Sequence, residues 1–246
     1  MKKVSLFIPC TVDILLPDIG VHTYNLLRHL GVTPVYHERQ TCCGQPSFNA
    51  GHRELARKTA KHMIALFEND EAVVSPSGSC VHTMKHRYAE LFEDDGPWRR
   101  RAEALAPRLF ELSQYIVDIL GVRDVGASFG GKVTYHESCH ILRGLGVSEQ
   151  PKALLSAVKG AEFVALANAD RCCGFGGEFA VKYPDISEDL VKDKAKNFLA
   201  SGADVLILCE PGCLLNIGGY LSRNHPGAWA MHLAAFLGEN IQGGKR

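Results

Sequence analysis

Nine cysteines are the residues in this 246-residue chain best able to do chemistry, and they fall into two registered sets. Cys10 maps to Cys139 with a shift of 129, Cys42 and Cys43 map to Cys172 and Cys173 with a shift of 130, and Cys80 maps to Cys213 with a shift of 133. Cys209 stands alone, opposite Pro76. Thiolates are soft ligands that suit zinc, copper(I) and iron–sulfur clusters. A structural zinc site closes with four ligands, and the second set offers five: Cys139, Cys172, Cys173, Cys209 and Cys213. Consecutive side chains diverge, so an adjacent pair suits two iron atoms of an extended cluster better than one small ion. The first set offers four: Cys10, Cys42, Cys43 and Cys80. Those four can hold a cluster or a zinc ion, with an oxygen of Ser77 or Ser79 as an additional donor. A lone cysteine is commonly a small buried apolar residue, an explanation that fits nine in register poorly. A disulfide within either adjacent pair is a further alternative, but a strained one.

Other residues around the cysteines could contribute. The glycines of Gly174-Phe175-Gly176-Gly177 let backbone N–H groups turn toward cluster sulfurs, where such donors tune a reduction potential. His136 and His140 bracket Cys139, and His140 is close enough to support a ligand. His82 and His86, four apart, could face one way on a helix after Cys80, although such pairs are usually a solvated face. Arg143 could bind an anion or balance cluster charge, and Phe175 could shield a cluster or be ordinary core.

The elements that position these residues repeat as well. Lys3-Val4 precedes Cys10 as Lys132-Val133 precedes Cys139, and each double cysteine is followed by glycine. Apolar patterning predicts strands over 3–9, 32–36 and 71–75, with helices over 20–30 and 52–67. In the second half it predicts strands over 132–136, 162–166 and 204–208, with helices over 150–158 and 186–200. Each half closes on a similar helix, 110–120 and 231–241. This alternation implies an α/β fold of two pseudo-symmetric halves, 1–125 and 126–246, each a small parallel sheet flanked by helices. The cysteines of both sets follow the carboxyl ends of strands, the edge where ligands bind in open α/β sheets. One site per half follows. The charged stretch 93–103 reads as a solvated linker.

Composition narrows the function. Apolar residues at 46% can build a core, and 27 basic against 27 acidic residues give no net field to attract nucleic acid or an anionic membrane. The apolar run Val4 to Pro9 is too short for a signal peptide, and no run approaches the ~20 apolar residues of a membrane span. Many clustered cysteines without such signals point to a reducing, cytoplasmic setting and to metal or redox chemistry. Neither a dinucleotide fingerprint nor a phosphate loop is evident, and no residue is assigned a catalytic role.

The pattern C-x31-CC-x36-C followed by C-x32-CC-x35-CxxxC, with FIPC, TCCGQP, YHESCHILRGLG and RCCGFGGEF, resembles the duplicated cysteine-rich CCG domain. That domain occurs in the B component of heterodisulfide reductase, in glycolate oxidase iron–sulfur subunits and in the C component of anaerobic glycerol-3-phosphate dehydrogenase. With no ferredoxin-type CxxCxxCxxxCP segment ahead of the first repeat, the whole chain is similar to the lactate utilization protein A family. The resemblance implies an oxidoreductase component that helps oxidise L-lactate to pyruvate with the sister lactate utilization proteins B and C, passing electrons through an iron–sulfur cluster. It assigns the ligand role to Cys139, Cys172, Cys173, Cys209 and Cys213, and the equivalent role to Cys10, Cys42, Cys43 and Cys80. The first repeat departs from the family's closing CxxC by keeping only Cys80. The expectation is therefore a 4Fe-4S-type cluster in the second repeat, with zinc as the alternative occupant of the first. A zinc-stabilised scaffold without redox role and a thiol–disulfide enzyme are the competing functions.

Overall fold

The computed structural model describes residues 2–241. It divides between Leu112 and Ser113 into two compact units. Unit 1 holds a four-stranded sheet of β1 (Lys2–Leu6), β2 (Val32–Tyr36), β3 (Val73–Ser75) and β4 (Leu109–Glu111), in the order β2-β1-β3-β4. Unit 2 holds β5 (Ser128–Tyr135), β6 (Lys159–Phe163), β7 (Val205–Leu208) and β8 (Trp229–His232), in the order β6-β5-β7-β8. Every pairing within both sheets is parallel. The α/β class and its duplicated halves are therefore as the sequence implies.

Burial follows position in the sheet. The inner strands β3 (VVS) and β7 (VLIL) are buried at every residue, as strands covered on both faces must be. Helices then seal the faces. Helix Arg53–Phe67 turns Ala56, Ala60, Met63, Ile64 and Phe67 inward at helical spacing. Full burial of a side chain the size of Met63, Ile64 or Phe67 contributes ~1.5–3 kcal/mol. Helix Pro184–Ser201 does the same in unit 2 with Val191, Ala195 and Phe198, and Lys194 lies on that same buried stripe.

Three sequence expectations need correction. The stretches 110–120 and 231–241 are not helical throughout. Each opens on an edge strand, β4 or β8, that passes directly into helical turns. No glycine or proline separates strand from helix there, and apolar residues satisfy both periods. The strand expected over 162–166 is β6, Lys159–Phe163. An edge strand need not be apolar, so the run Val164–Leu166 misleads. The stretch 93–103 is no linker, because Gly96–Leu105 is a helix that buries Ala102 and Leu105. Arg57 pairs with Asp94, Lys61 with Asp95, and Arg101 with Glu68, while the Arg101 guanidinium lies 3.8 Å from the Trp98 ring centroid. Among the described residues no helix is long and apolar enough to cross a membrane.

Candidate metal centre

In each unit three loops leave the carboxyl ends of parallel strands and deliver their cysteines to one place. In unit 2, Cys139 follows β5, Cys172 and Cys173 lie in the loop after β6, and Cys213 sits in the first turn of helix Pro211–Asn224 after β7. Their sulfurs form one row of interacting neighbours. Cys139 contacts Cys172, Cys172 contacts Cys173, and the Cys173 thiol donates to Cys213 across 3.1 Å. Unit 1 repeats the row. Cys10 contacts Cys42, Cys42 contacts Cys43, and Cys43 donates to Cys80 across 3.3 Å. The adjacent cysteines thus stay in touch with each other while each reaches a different outer partner. None of the nine cysteines is in a disulfide.

A row of thiols in contact shares its protons unevenly. Cys172 accepts from the Cys139 and Cys173 thiols and, against the cost of burial, from the Gly174 N–H, which together hold it at about 2. Cys139 and Cys173 are pushed up, first by their bonds to Cys172 and then by further neighbours and burial. Cys213 lies well below the ordinary thiol range, held there first by the Cys173 thiol and, against burial, by His136 and Ser138. In unit 1, Cys42 is drawn down to about 3, first by Cys10, then by Cys43 and the Gly44 N–H against burial, while Cys10 and Cys43 rise. In unit 2 neighbouring sulfurs along the row are pushed in opposite directions, so a soft cation entering it would displace protons from the raised thiols.

Gly44 and Gly174 make this geometry possible. Both adopt left-handed backbone, at φ 84° and 87°, and both direct their N–H at the first sulfur of the pair from 3.4 Å. Phe175 N–H adds a bond to Cys173 at 3.5 Å. The Phe175 ring packs over Gly212 and against the buried core that includes Cys173 and Cys213, so it covers the site as well as filling core.

The remaining expected residues are placed as follows. Cys209 is 0% exposed, directly past β7 and one turn ahead of Cys213. His140 Nδ1 lies 3.7 Å from Cys139 Sγ. Arg143 donates to the backbone and side chain of Asp170. His82 and His86 stack with ring centroids 4.9 Å apart where helix Gly78–His82 passes into a π-helical turn, Thr83–Arg87. Ser77 and Ser79 are buried with their hydroxyls 3.4 Å apart.

Two side chains at the site matter more than their place in the sequence suggests. His136 is 0% exposed, and a ring nitrogen of it lies within 4.8 Å of the Cys173 and Cys213 sulfurs. Lys194 is 1% exposed and donates to the carbonyls of Asn168 and Ala169. Burial pulls its pKa below the ordinary lysine value, opposed by the nearby negative groups of Cys173, Asp170 and Cys213. The signal for Lys194 was present, because a charge at its position interrupts the apolar stripe of Val191, Ala195 and Phe198. Its ammonium holds the start of the double-cysteine loop, where Asn168 has φ 53°. Lys194→Met should leave both carbonyls without that donor and cost about 1–3 kcal/mol in urea denaturation of the metal-free chain. A loss below ~0.5 kcal/mol, typical of a surface change, would show that the loop holds itself.

The donor set fits a thiolate-bound inorganic centre, because in each unit four sulfurs from three loops already interact. Comparison with known proteins agrees with this duplication. The model of the cysteine-rich domain CCG matches residues 4–85 and again 133–218. Lactate utilization protein A of Exiguobacterium sp. is 49% identical over 244 residues, covering 98% of this chain and 99% of that one. The protein of the same name from Oceanobacillus iheyensis is 44% identical over 242 residues, with 98% and 99% covered, and that from Halalkalibacterium halodurans is 48% identical over 235 residues, with 96% of each covered. A chain carrying two CCG domains, aligned nearly end to end with these proteins, belongs to the lactate utilization protein A family.

Proposed function

We propose that this protein is an iron–sulfur redox subunit of a cytoplasmic complex that oxidises L-lactate to pyruvate, acting with the sister lactate utilization proteins B and C. The observation that carries this reading is the continuous row of sulfurs at the carboxyl edge of each sheet. In unit 2, Cys139, Cys172, Cys173, Cys209 and Cys213 would hold a 4Fe-4S-type cluster. When bound, that group supplies a reversible store for electrons drawn from lactate. The chain's own residues orient the thiolates, aim the Gly174 and Phe175 N–H groups at sulfur and pack Phe175 against solvent. Donors to sulfur of this kind raise a reduction potential by stabilising the more negative state.

A second reading applies to unit 1 alone. Cys10, Cys42, Cys43 and Cys80 make a four-thiolate set, and Pro76 stands where unit 2 has Cys209. Four thiolates close a zinc site, so unit 1 would then be a stabilised scaffold. Iron, zinc and sulfide should be quantified on the full chain prepared without air, alongside its visible and EPR spectra. Iron with sulfide and a reducible visible band is the expected result. Stoichiometric zinc with no iron in either unit would overturn the redox reading. Zinc confined to unit 1 should resist a mild chelator less well than iron and sulfide in unit 2.

A further inference from the structure

The two units share a four-sulfur skeleton but differ at one buried position beside it. His136 and Phe7 are structural equivalents, each three residues before the first cysteine of its set. Tyr135 pairs with Ile207 and His136 N–H bonds the Ile207 carbonyl at 2.9 Å, just as Leu6 pairs with Val74 and Phe7 N–H bonds the Val74 carbonyl at 2.9 Å. In unit 1 the position is apolar: Phe7 packs edge-on against Phe67 with ring centroids 5.9 Å apart. In unit 2 it carries an imidazole among sulfurs. His136 Nδ1 lies 3.1 Å from the Ala169 carbonyl oxygen, a partner that can only accept, so Nδ1 bears a proton and Nε2 is the nitrogen turned to other partners. Nε2 is buried beside the Cys213 sulfur and has no hydrogen-bond partner of ordinary geometry among the described residues. A buried imidazole nitrogen left that way is costly unless something else occupies its lone pair. The ring lies against the Cys173 and Cys213 sulfurs, within 4.8 Å.

The Ala169 carbonyl that fixes the ring is itself held. It accepts from Glu137 N–H at 3.1 Å and from the Lys194 ammonium at 3.1 Å. A carbonyl that orients the far nitrogen of an imidazole is the usual partner of a metal-ligating histidine. We propose that His136 Nε2 is a direct donor to the inorganic centre of unit 2, making that centre a mixed thiolate–imidazole one, whereas unit 1 has the phenyl ring of Phe7 at the matching place. This inference rests on the reading that unit 2 holds a thiolate-bound centre. Replacing a thiolate donor by neutral imidazole removes negative charge from a cluster and raises its potential, so the two units would differ in potential as well as in ligands.

The test uses the full chain carrying 15N-labelled histidine, prepared without air, reduced and examined by pulsed EPR. A 15N coupling of the strength of a directly bound imidazole is expected in the unsubstituted protein. It should be lost in His136→Phe, which copies unit 1, in whatever iron and sulfide unit 2 of that variant retains. It should persist in His140→Gln, which removes the other imidazole beside Cys139. An iron-loaded unit 2 without nitrogen coupling would overturn the proposal and leave the redox reading standing. Coupling that survives His136→Phe, or disappears with His140→Gln, would also overturn it by assigning the donor elsewhere. Should His136→Phe fail to fold, the labelled unsubstituted chain and His140→Gln still decide. Absence of any metal from unit 2 would overturn both the proposal and the reading beneath it. If zinc replaces iron, the redox reading falls, and the nitrogen count at the zinc absorption edge decides His136: one nitrogen supports it and none refutes it.

Discussion

Cys173→Ala is expected to strip unit 2 of its inorganic centre and leave unit 1 loaded. Cys173 is the interior link of the sulfur row, bonded to Cys172 on one side and to Cys213 on the other. Its removal separates the pair Cys139–Cys172 from Cys213, so no donor set from all three loops remains continuous. The same change costs the metal-free fold little. Replacing a buried thiol by a methyl group removes about 1 kcal/mol of burial, small beside the ~5–15 kcal/mol that keeps a domain folded. The two effects separate experimentally. Iron and sulfide analysis with visible spectra should show the unit 2 centre lost, while circular dichroism and urea denaturation of the metal-free chain stay close to the unsubstituted protein. Cys43→Ala should do the converse to unit 1. Retention of the full iron and sulfide content by Cys173→Ala would show that the row of sulfurs is not the site.

Gly174→Ala is expected to damage unit 2 through the backbone, and far more than its counterpart Gly44→Ala damages unit 1. Both glycines need left-handed φ, which costs any other residue about 1–2 kcal/mol. The surroundings then part company. A Cβ on Gly174 would sit 2.5 Å from the Ser187 carbonyl oxygen and 3.1 Å from Leu190 Cβ, inside helix Pro184–Ser201. A Cβ on Gly44 would meet the Thr59 methyl at 3.3 Å, a side chain that can turn aside. Overpacking against fixed backbone adds ~1–3 kcal/mol. Gly174→Ala should therefore cost roughly 2–5 kcal/mol, and Gly44→Ala about 1–2 kcal/mol. Denaturation of the metal-free chains measures both. Metal content should follow the same order, because the displaced loop carries Cys172 and Cys173. Equal losses for the two variants would refute the close approach of loop and helix in unit 2.

The legible part of this protein was its duplication and the gathering of its cysteines. The cysteine registers, the strand before each cysteine and the glycine after each pair all lie within short stretches of chain, where residue type and spacing carry the information. The opaque parts share a cause. β4 and β8 are edge strands of three and four residues that run into helices, and so short a stretch has no period of its own. The stretch 93–103, most of it the helix Gly96–Leu105, reads as a linker because ion pairs of Asp94, Asp95 and Arg101 to Arg57, Lys61 and Glu68, far off in sequence, absorb its charge. His136 and His140 bracket Cys139 in the sequence, and only the packing shows that His136 is the one lying beside the Cys173 and Cys213 sulfurs.

Sequence by itself determined which atoms are available: two sets of soft sulfur donors, each placed after strand ends, in a chain of the lactate utilization protein A family. Tertiary structure decided which of those atoms meet. The contact between Cys173 and Cys213 spans 40 residues, and that between Ser138 and Cys213 spans 75. Such contacts depend on the parallel register of β5 with β7 and on how far the loop after β6 reaches back. Those quantities are set by packing across the sheet, so local periodicity does not contain them. The same packing put an imidazole beside the sulfurs of unit 2 and a phenyl ring at the matching place in unit 1.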